Sequence, residues 1–152
     1  MIYRVLVFLL INFAALAIGG SFTGDGVPSD WYTNLSKAPW TPPGWVFGAA
    51  WTTIMICFAF YMSALWKSVK DKKPIIFLYT LQIILNIGWN PTFFYFHQVF
   101  LGLTVISILT LLIAYIIYNY WNELKLKSIL ILPYLIWLMI ATSLNAYVLF
   151  NN

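Results

Sequence analysis

Four stretches of the chain contain no Asp, Glu, Lys or Arg, and each is long enough to cross a lipid bilayer. They are residues 5–24, 38–66, 74–122 and 128–152. A helix needs about 20 apolar residues to span the hydrocarbon core, so the stretches accommodate one, one, two and one spans. The third stretch must fold back once, and the segment from Asn90 to Gln98 is the natural place for its turn.

Helices are expected to form these spans. A membrane barrel needs strands in which apolar and polar residues alternate, and the segment from Val105 to Ile117, VISILTLLIAYII, does not alternate. Only 8% of the residues are charged, whereas soluble domains average about 25%. The sequence therefore predicts an all-α membrane protein, a single transmembrane domain over residues 1–152. Its five predicted spans are residues 5–23, 44–66, 74–96, 99–121 and 128–150.

The basic residues predict how the chain is oriented. With five spans, the N-terminus shares a side with the second-to-third and fourth-to-fifth connections. Seven of the eight basic residues lie on that side, and only Lys37 lies on the other. The positive-inside rule predicts a cell membrane protein with a cytoplasmic N-terminus and an extracellular C-terminus. Lysines beside anionic headgroups explain the net charge of +4 without a nucleic acid partner.

The first connection, residues 24–43, reads GDGVPSDWYTNLSKAPWTPP. Loops of this length usually bind something or are disordered, and Trp31, Tyr32 and Trp40 favour order because disordered segments are poor in aromatic residues. We expect a structured extracellular loop that acts as a lid over the mouth of the bundle. Lys37 could meet an anionic ligand group there, and contact with lipid phosphate is the alternative.

Amides replace ionisable residues inside the predicted spans. No charged residue lies deep within a span, which argues against an ion pump, antiporter or channel. Gln82, Asn86 and Asn90 recur every four residues and therefore share one helix face. This stripe could line a ligand pocket, and hydrogen bonding between helices is the alternative.

Tryptophans occur inside three of the predicted spans, as Trp51, Trp89 and Trp137. Ala141 lies between Trp137 and Asn145 on one helix face. A small residue between two larger ones leaves a recess that can admit a ligand. Indoles contributed by three helices of a small bundle favour a shared pocket, with core packing as the alternative.

Metal and thiol chemistry have little support in the sequence. Cys57 is the only cysteine and His97 the only histidine, so an internal disulfide and a bound metal centre are not expected. Cys57 falls in mid-membrane, where a thiol usually behaves as a small apolar side chain. His97 falls at the turn between the third and fourth spans, where it is expected to be solvated.

The strongest motif is W-x-P-P-x-W-x-F-G-x-x-W, which runs from Trp40 to Trp51. With the other matching positions it resembles the translocator protein or tryptophan-rich sensory protein family, also called the peripheral-type benzodiazepine receptors. The resemblance covers nearly the whole chain. The further matching positions include Gly19-Gly20, Trp31-Tyr32, Leu85-Asn86, Trp89, Pro133-Tyr134, Trp137, Ala141, Leu144 and Asn145.

This resemblance implies a five-helix bundle with a pocket that opens toward the first loop, often in a homodimer. Family members bind porphyrins, including protoporphyrin IX and heme, and synthetic isoquinoline carboxamide and benzodiazepine ligands. Porphyrin would be a ligand or substrate, with no permanently bound cofactor. By matching position, the pocket residues are Tyr32, Pro42, Trp51, Asn86, Trp89, Trp137, Ala141 and Leu144.

Three functions stay open at this point. The first is a membrane receptor or carrier that holds a flat tetrapyrrole between indole faces. The second, an activity attributed to some family members, is light-dependent porphyrin degradation, with Trp51 and Trp137 as catalytic electron donors. The third is a lipid-binding or stress-adaptor protein with incidental porphyrin affinity. Ala146 and Phe150 occupy the matching positions of the animal cholesterol motif, which argues against sterol binding and suits a bacterial membrane.

Overall fold

The computed structural model describes residues 1–152, and its secondary structure consists of helices without strands, which confirms the all-α prediction. The α-helices are α1 (Ile2–Gly26), α2 (Asp30–Thr33), α3 (Gly44–Ser68), α4 (Lys73–Asn90), α5 (Val99–Leu124) and α6 (Leu132–Asn151). A π-helical turn (Pro91–Tyr95) extends α4, and a 3-10 segment (Lys125–Ile131) joins α5 to α6.

Three helical stretches are long and apolar enough to cross a membrane, which makes this a membrane protein by length and composition. They are α1, α3 and the run Val99–Asn151, whose 53 residues exceed what two crossings need. The remaining long helix, α4, has 18 residues, and the π-turn adds to its length. The five long helices are therefore compatible with the five predicted spans.

The structure corrects three predicted boundaries. Helix α1 continues to Gly26, because the first residue that breaks it is Pro28, so the lid is residues 27–43. The third span does not run to residue 96 as one α-helix, since Pro91 has no N–H to donate and the chain adopts the π-turn there. The last span begins at Leu132, after the 3-10 segment.

Two packing regions divide the bundle. Away from the lid, α3, α5 and α6 form a continuous core with the 3-10 segment, and Phe58, Tyr61, Ile113, Ile131 and Leu138 are each 1% exposed or less. Near the lid, the first two turns of α3 contain no buried residue. The helices are therefore tightly packed at one end and separated at the other.

A buried amide joins three of the helices between these two regions. Asn12 in α1 donates its Nδ2 hydrogen to the carbonyl oxygen of Met55 in α3 at 3.0 Å. Its Oδ1 accepts from the hydroxyl of Tyr79 in α4 at 2.7 Å. Asn12 is 1% exposed, and polar bonds between helices help to hold a bundle together where water is absent.

Candidate functional site

A cavity of about 540 Å³ lies between α1, α3, α4 and α6, directly beneath the lid. This volume falls in the range of small-molecule sites, roughly 300–1,000 Å³. Its wall is mainly apolar and aromatic, with a few amide and hydroxyl side chains. The separation of the helices near the lid therefore creates a space suited to an apolar ligand.

Seven of the eight predicted pocket residues line this cavity. They are Tyr32, Pro42, Trp51, Asn86, Trp89, Trp137 and Ala141. The eighth, Leu144, lines a smaller adjoining chamber of about 50 Å³. Tyr32, Trp89 and Ala141 border both spaces, so Leu144 lies one layer behind the main wall.

Edge-to-face packing fixes the orientation of the Trp137 and Trp51 indoles. Trp137 packs against Phe47 with ring centroids 5.3 Å apart and an interplanar angle of 86°. Trp51 packs against Tyr134 at 5.9 Å and 75°. T-shaped aromatic pairs favour a defined ring plane, so the indoles are held in place before any ligand arrives.

A hydrogen-bonded chain of polar side chains forms one side of the cavity. Asn86 donates its Nδ2 hydrogen to the hydroxyl of Tyr134 at 2.6 Å, and that hydroxyl donates to Oε1 of Gln82 at 2.8 Å. Asn90 donates to the backbone carbonyl of Asn86 and accepts from the Thr23 hydroxyl. The amide stripe thus joins helices, and two of its members also line the cavity.

Two cavity tryptophans differ in how their indole N–H groups are satisfied. Trp89 donates its Nε1 hydrogen to Oδ1 of Asn145 at 3.0 Å, and Asn145 in turn donates to the carbonyl of Val99. Trp137 is 6% exposed, and its Nε1 has no hydrogen-bond partner. A buried donor without a partner costs free energy, and this Nε1 atom is not accessible from the cavity.

The lid is attached to the π-turn and to α6. Trp31 stacks on His97 with centroids 4.1 Å apart and an interplanar angle of 15°, and Tyr32 packs against Phe94 at 5.5 Å. At the other end of the lid, Trp40 donates its Nε1 hydrogen to the hydroxyl of Ser143 at 3.1 Å. His97 is exposed, but its ring is a packing partner of the lid.

Lys37 is directed inward in the lid and borders both cavities. Its ammonium donates to the backbone carbonyls of Tyr32, Thr33 and Leu35 and lies 4.8 Å from the centre of the Tyr32 ring. Burial raises the pKa of the Tyr32 hydroxyl, so this group stays protonated near neutral pH. The lid therefore places one cation and one hydroxyl at the mouth of the cavity.

Thr23 and Phe94 are among the wall residues that were not predicted from the sequence. Lys37 and Asn90, which the sequence offered as possible ligand contacts, line the cavity as well. The spacing of Asn90 from Asn86 was a usable signal, because residues four apart share a helix face. Phe94 carried no such signal, since its position depends on the π-turn.

These features define a class of protein: an all-helical membrane protein whose aromatic cavity lies beneath a lid. Residues 7–150 match the TspO/MBR family, and the chain belongs to that family. It is 32% identical to tryptophan-rich protein TspO of Chlorobaculum tepidum, over 95% of this chain and 90% of the relative. It is 30% identical to the tryptophan-rich sensory protein of Cereibacter sphaeroides, over 90% and 87%. With human translocator protein it shares 31% identity, over 89% and 82%.

Family membership confirms the resemblance found in the sequence and supports a membrane receptor or carrier role. The ligand must be argued from the cavity.

Proposed function

We propose that the protein is a cell membrane receptor or carrier that binds porphyrins, such as protoporphyrin IX and heme, reversibly in the cavity beneath the lid. Isoquinoline carboxamide and benzodiazepine-type ligands would occupy the same space. The observation that carries this proposal is the convergence of Trp51, Trp89 and Trp137, from three helices, on one apolar cavity. A flat macrocycle is the ligand shape that such indoles accommodate best.

The proposed protein is a single domain with five spans: α1, α3, α4 with the π-turn, α5 and α6. The distribution of basic residues supports a cytoplasmic N-terminus, with the lid and C-terminus outside. A homodimer is proposed from the family resemblance. The long helices present apolar side chains outward, including Leu10, Phe77 and Leu111, which are each at least 65% exposed and suit contact with lipid or a second copy.

Reversible binding follows from the strength of the available contacts. Each aromatic pair contributes about 0.5–1.5 kcal/mol beyond burial, so a few such pairs support a ligand that can leave again. Lys37 favours a ligand with an acidic group near the lid. Protoporphyrin IX offers both a flat ring and carboxylates.

Replacing Trp51 and Trp137 together by phenylalanine is expected to weaken protoporphyrin IX binding about tenfold or more, because both stacking surfaces shrink. The measurement is quenching of tryptophan fluorescence in the dark as protoporphyrin IX is titrated. Trp121→Phe is the control, since Trp121 does not line the cavity and is 47% exposed. An unchanged Kd in the double variant would argue against this pocket.

Light-dependent porphyrin degradation is a second candidate, favoured by the position of Trp51 and Trp137 on the same cavity. No carboxylate or histidine lines this space, so the chemistry would depend on porphyrin, light and oxygen, with the indoles as electron donors. We expect illumination of the complex to bleach protoporphyrin IX faster than illumination with free tryptophan. Equal rates would eliminate the enzymatic function.

A further inference from the structure

The wall of the cavity is closed toward α4 and α6 but open toward α1 and α3. Asn86, Trp137 and Ala141 are buried wall residues on the closed side. On the open side, four glycines line the cavity and are exposed, in contrast to the buried residues of the closed side. They are Gly20 and Gly24 in α1, and Gly44 and Gly48 in α3.

These four glycines are not required for close contact between helices. A Cβ atom placed on any of them would meet no atom within 4 Å. Gly19 differs, although it is next to Gly20, because its Cβ would lie 2.7 Å from Nδ2 of Asn90 in α4. Gly19 thus allows α1 to approach α4, whereas the four open glycines border an unfilled gap on the α1 and α3 side of the cavity.

The lid does not close this gap. Its side-chain contacts go to the π-turn and the following turn through Trp31 and Tyr32, and to α6 through Trp40. Trp40 also packs edge-to-face on Tyr147 of α6, with centroids 5.5 Å apart. The lid therefore covers the end of the bundle and leaves its α1–α3 side free.

The gap faces the region where lipid is expected. Trp45, next to Gly44, is 75% exposed, and Phe13, two turns before Gly20 on the same face of α1, is 36% exposed. Exposed tryptophans are typical of the membrane–water interface, and other large apolar side chains of the hydrocarbon region. The gap therefore begins near the headgroups and extends into the outer leaflet.

We propose that the gap between α1 and α3, bordered by Gly20, Gly24, Gly44 and Gly48, is a lateral portal through which the ligand passes between the outer leaflet and the cavity. This inference rests on the proposed function. The substrate class that fits is a flat amphiphile dissolved in the membrane. Its ring enters at hydrocarbon depth while its acidic end stays at headgroup level, on the side of Lys37.

Closing the portal tests the route separately from the pocket. In the variant Gly20→Leu with Gly48→Leu, both side chains extend into open space, and glycine is a poorer helix former than leucine, so the bundle is expected to fold. We expect the dissociation rate of protoporphyrin IX to fall about tenfold, because a narrower exit slows release, whereas a leucine that only filled binding space would speed it. The rates are measured by stopped-flow quenching in phosphatidylcholine vesicles that contain the protein.

The matched control is Ala17→Leu with Ala49→Leu, which adds the same side chains to exposed positions of the same helices outside the cavity. Its rates should equal those of the wild type. A second pair, Gly24→Leu with Gly44→Leu, closes the same gap nearer the lid and should slow dissociation as well.

Each result decides the proposal. Wild-type rates in both glycine variants would overturn the portal and leave the pocket intact. A weaker Kd with an unchanged association rate would also overturn it, because the leucines would then occupy the binding space. An absence of quenching in the wild-type protein would overturn the proposed function, and the portal with it.

Discussion

Replacing Ala141 by phenylalanine is expected to raise the Kd for protoporphyrin IX about a hundredfold. Ala141 is 7% exposed and borders both the main cavity and the adjoining chamber. A phenyl ring at this position would extend into space that the macrocycle needs, between Trp137 and the lid. The loss is steric, so it should exceed the effect of exchanging one aromatic ring for another. Titration of tryptophan fluorescence with protoporphyrin IX measures it.

Two controls separate steric blocking from loss of folding. Ala17→Phe adds the same ring to an exposed position of α1 outside the cavity, and it should bind as the wild type does. Ala141→Ser adds only a hydroxyl and should retain most of the affinity. Thermal unfolding of Ala141→Phe should resemble the wild type, because the ring fills an existing cavity. Wild-type affinity in Ala141→Phe would place the ligand elsewhere.

The helical architecture could be predicted from where charge is absent, because a long uncharged apolar stretch has few alternatives in a membrane. The sequence did not predict the two places where backbone geometry sets the direction of the chain. A turn was predicted between Asn90 and Gln98, but the chain stays helical through Tyr95. Pro91 has no N–H to donate, and the chain accommodates this by forming a wider π-helical turn. Lys125 has a φ of 49°, and this sharp change of direction after α5 has no signature in its side chain.

The cavity could be predicted only in part. Helical spacing indicated that Asn86 and Asn90 share a face, and the tryptophans in three spans, with Ala141, favoured a shared pocket. Leu144, which the resemblance assigned to the pocket, lines the adjoining chamber, because a matching position does not show how deep a residue lies. Gly19 and Gly20 make the same point, since a small-residue pattern cannot show which glycine faces a neighbouring helix and which faces a gap.

The division of the bundle into two regions separates binding from stability. The cavity and the portal lie near the lid, where helices stand apart. The polar bonds of Asn12 and the fully buried core residues lie farther from the lid. A change in the packed region should therefore alter unfolding with little effect on Kd, and a change at the cavity wall should do the reverse.

Two buried tyrosines test this separation. Tyr79→Phe is expected to lower the free energy of unfolding by about 2 kcal/mol, because it leaves Oδ1 of the buried Asn12 without its donor. Tyr61→Phe is the matched control: the Tyr61 hydroxyl is buried without a partner, so its removal should leave stability unchanged or slightly raised. Unfolding in mixed detergent micelles measures both variants.

The comparison is informative because both substitutions remove one hydroxyl from a buried ring. Equal losses would mean that burial of the ring edge, and not the bond to Asn12, sets the cost. A double variant that combines Tyr79→Phe with Asn12→Leu should lose less than the sum of the single variants, since both remove the same hydrogen bond. Protoporphyrin IX affinity should stay at the wild-type value in Tyr79→Phe, because Tyr79 does not line the cavity.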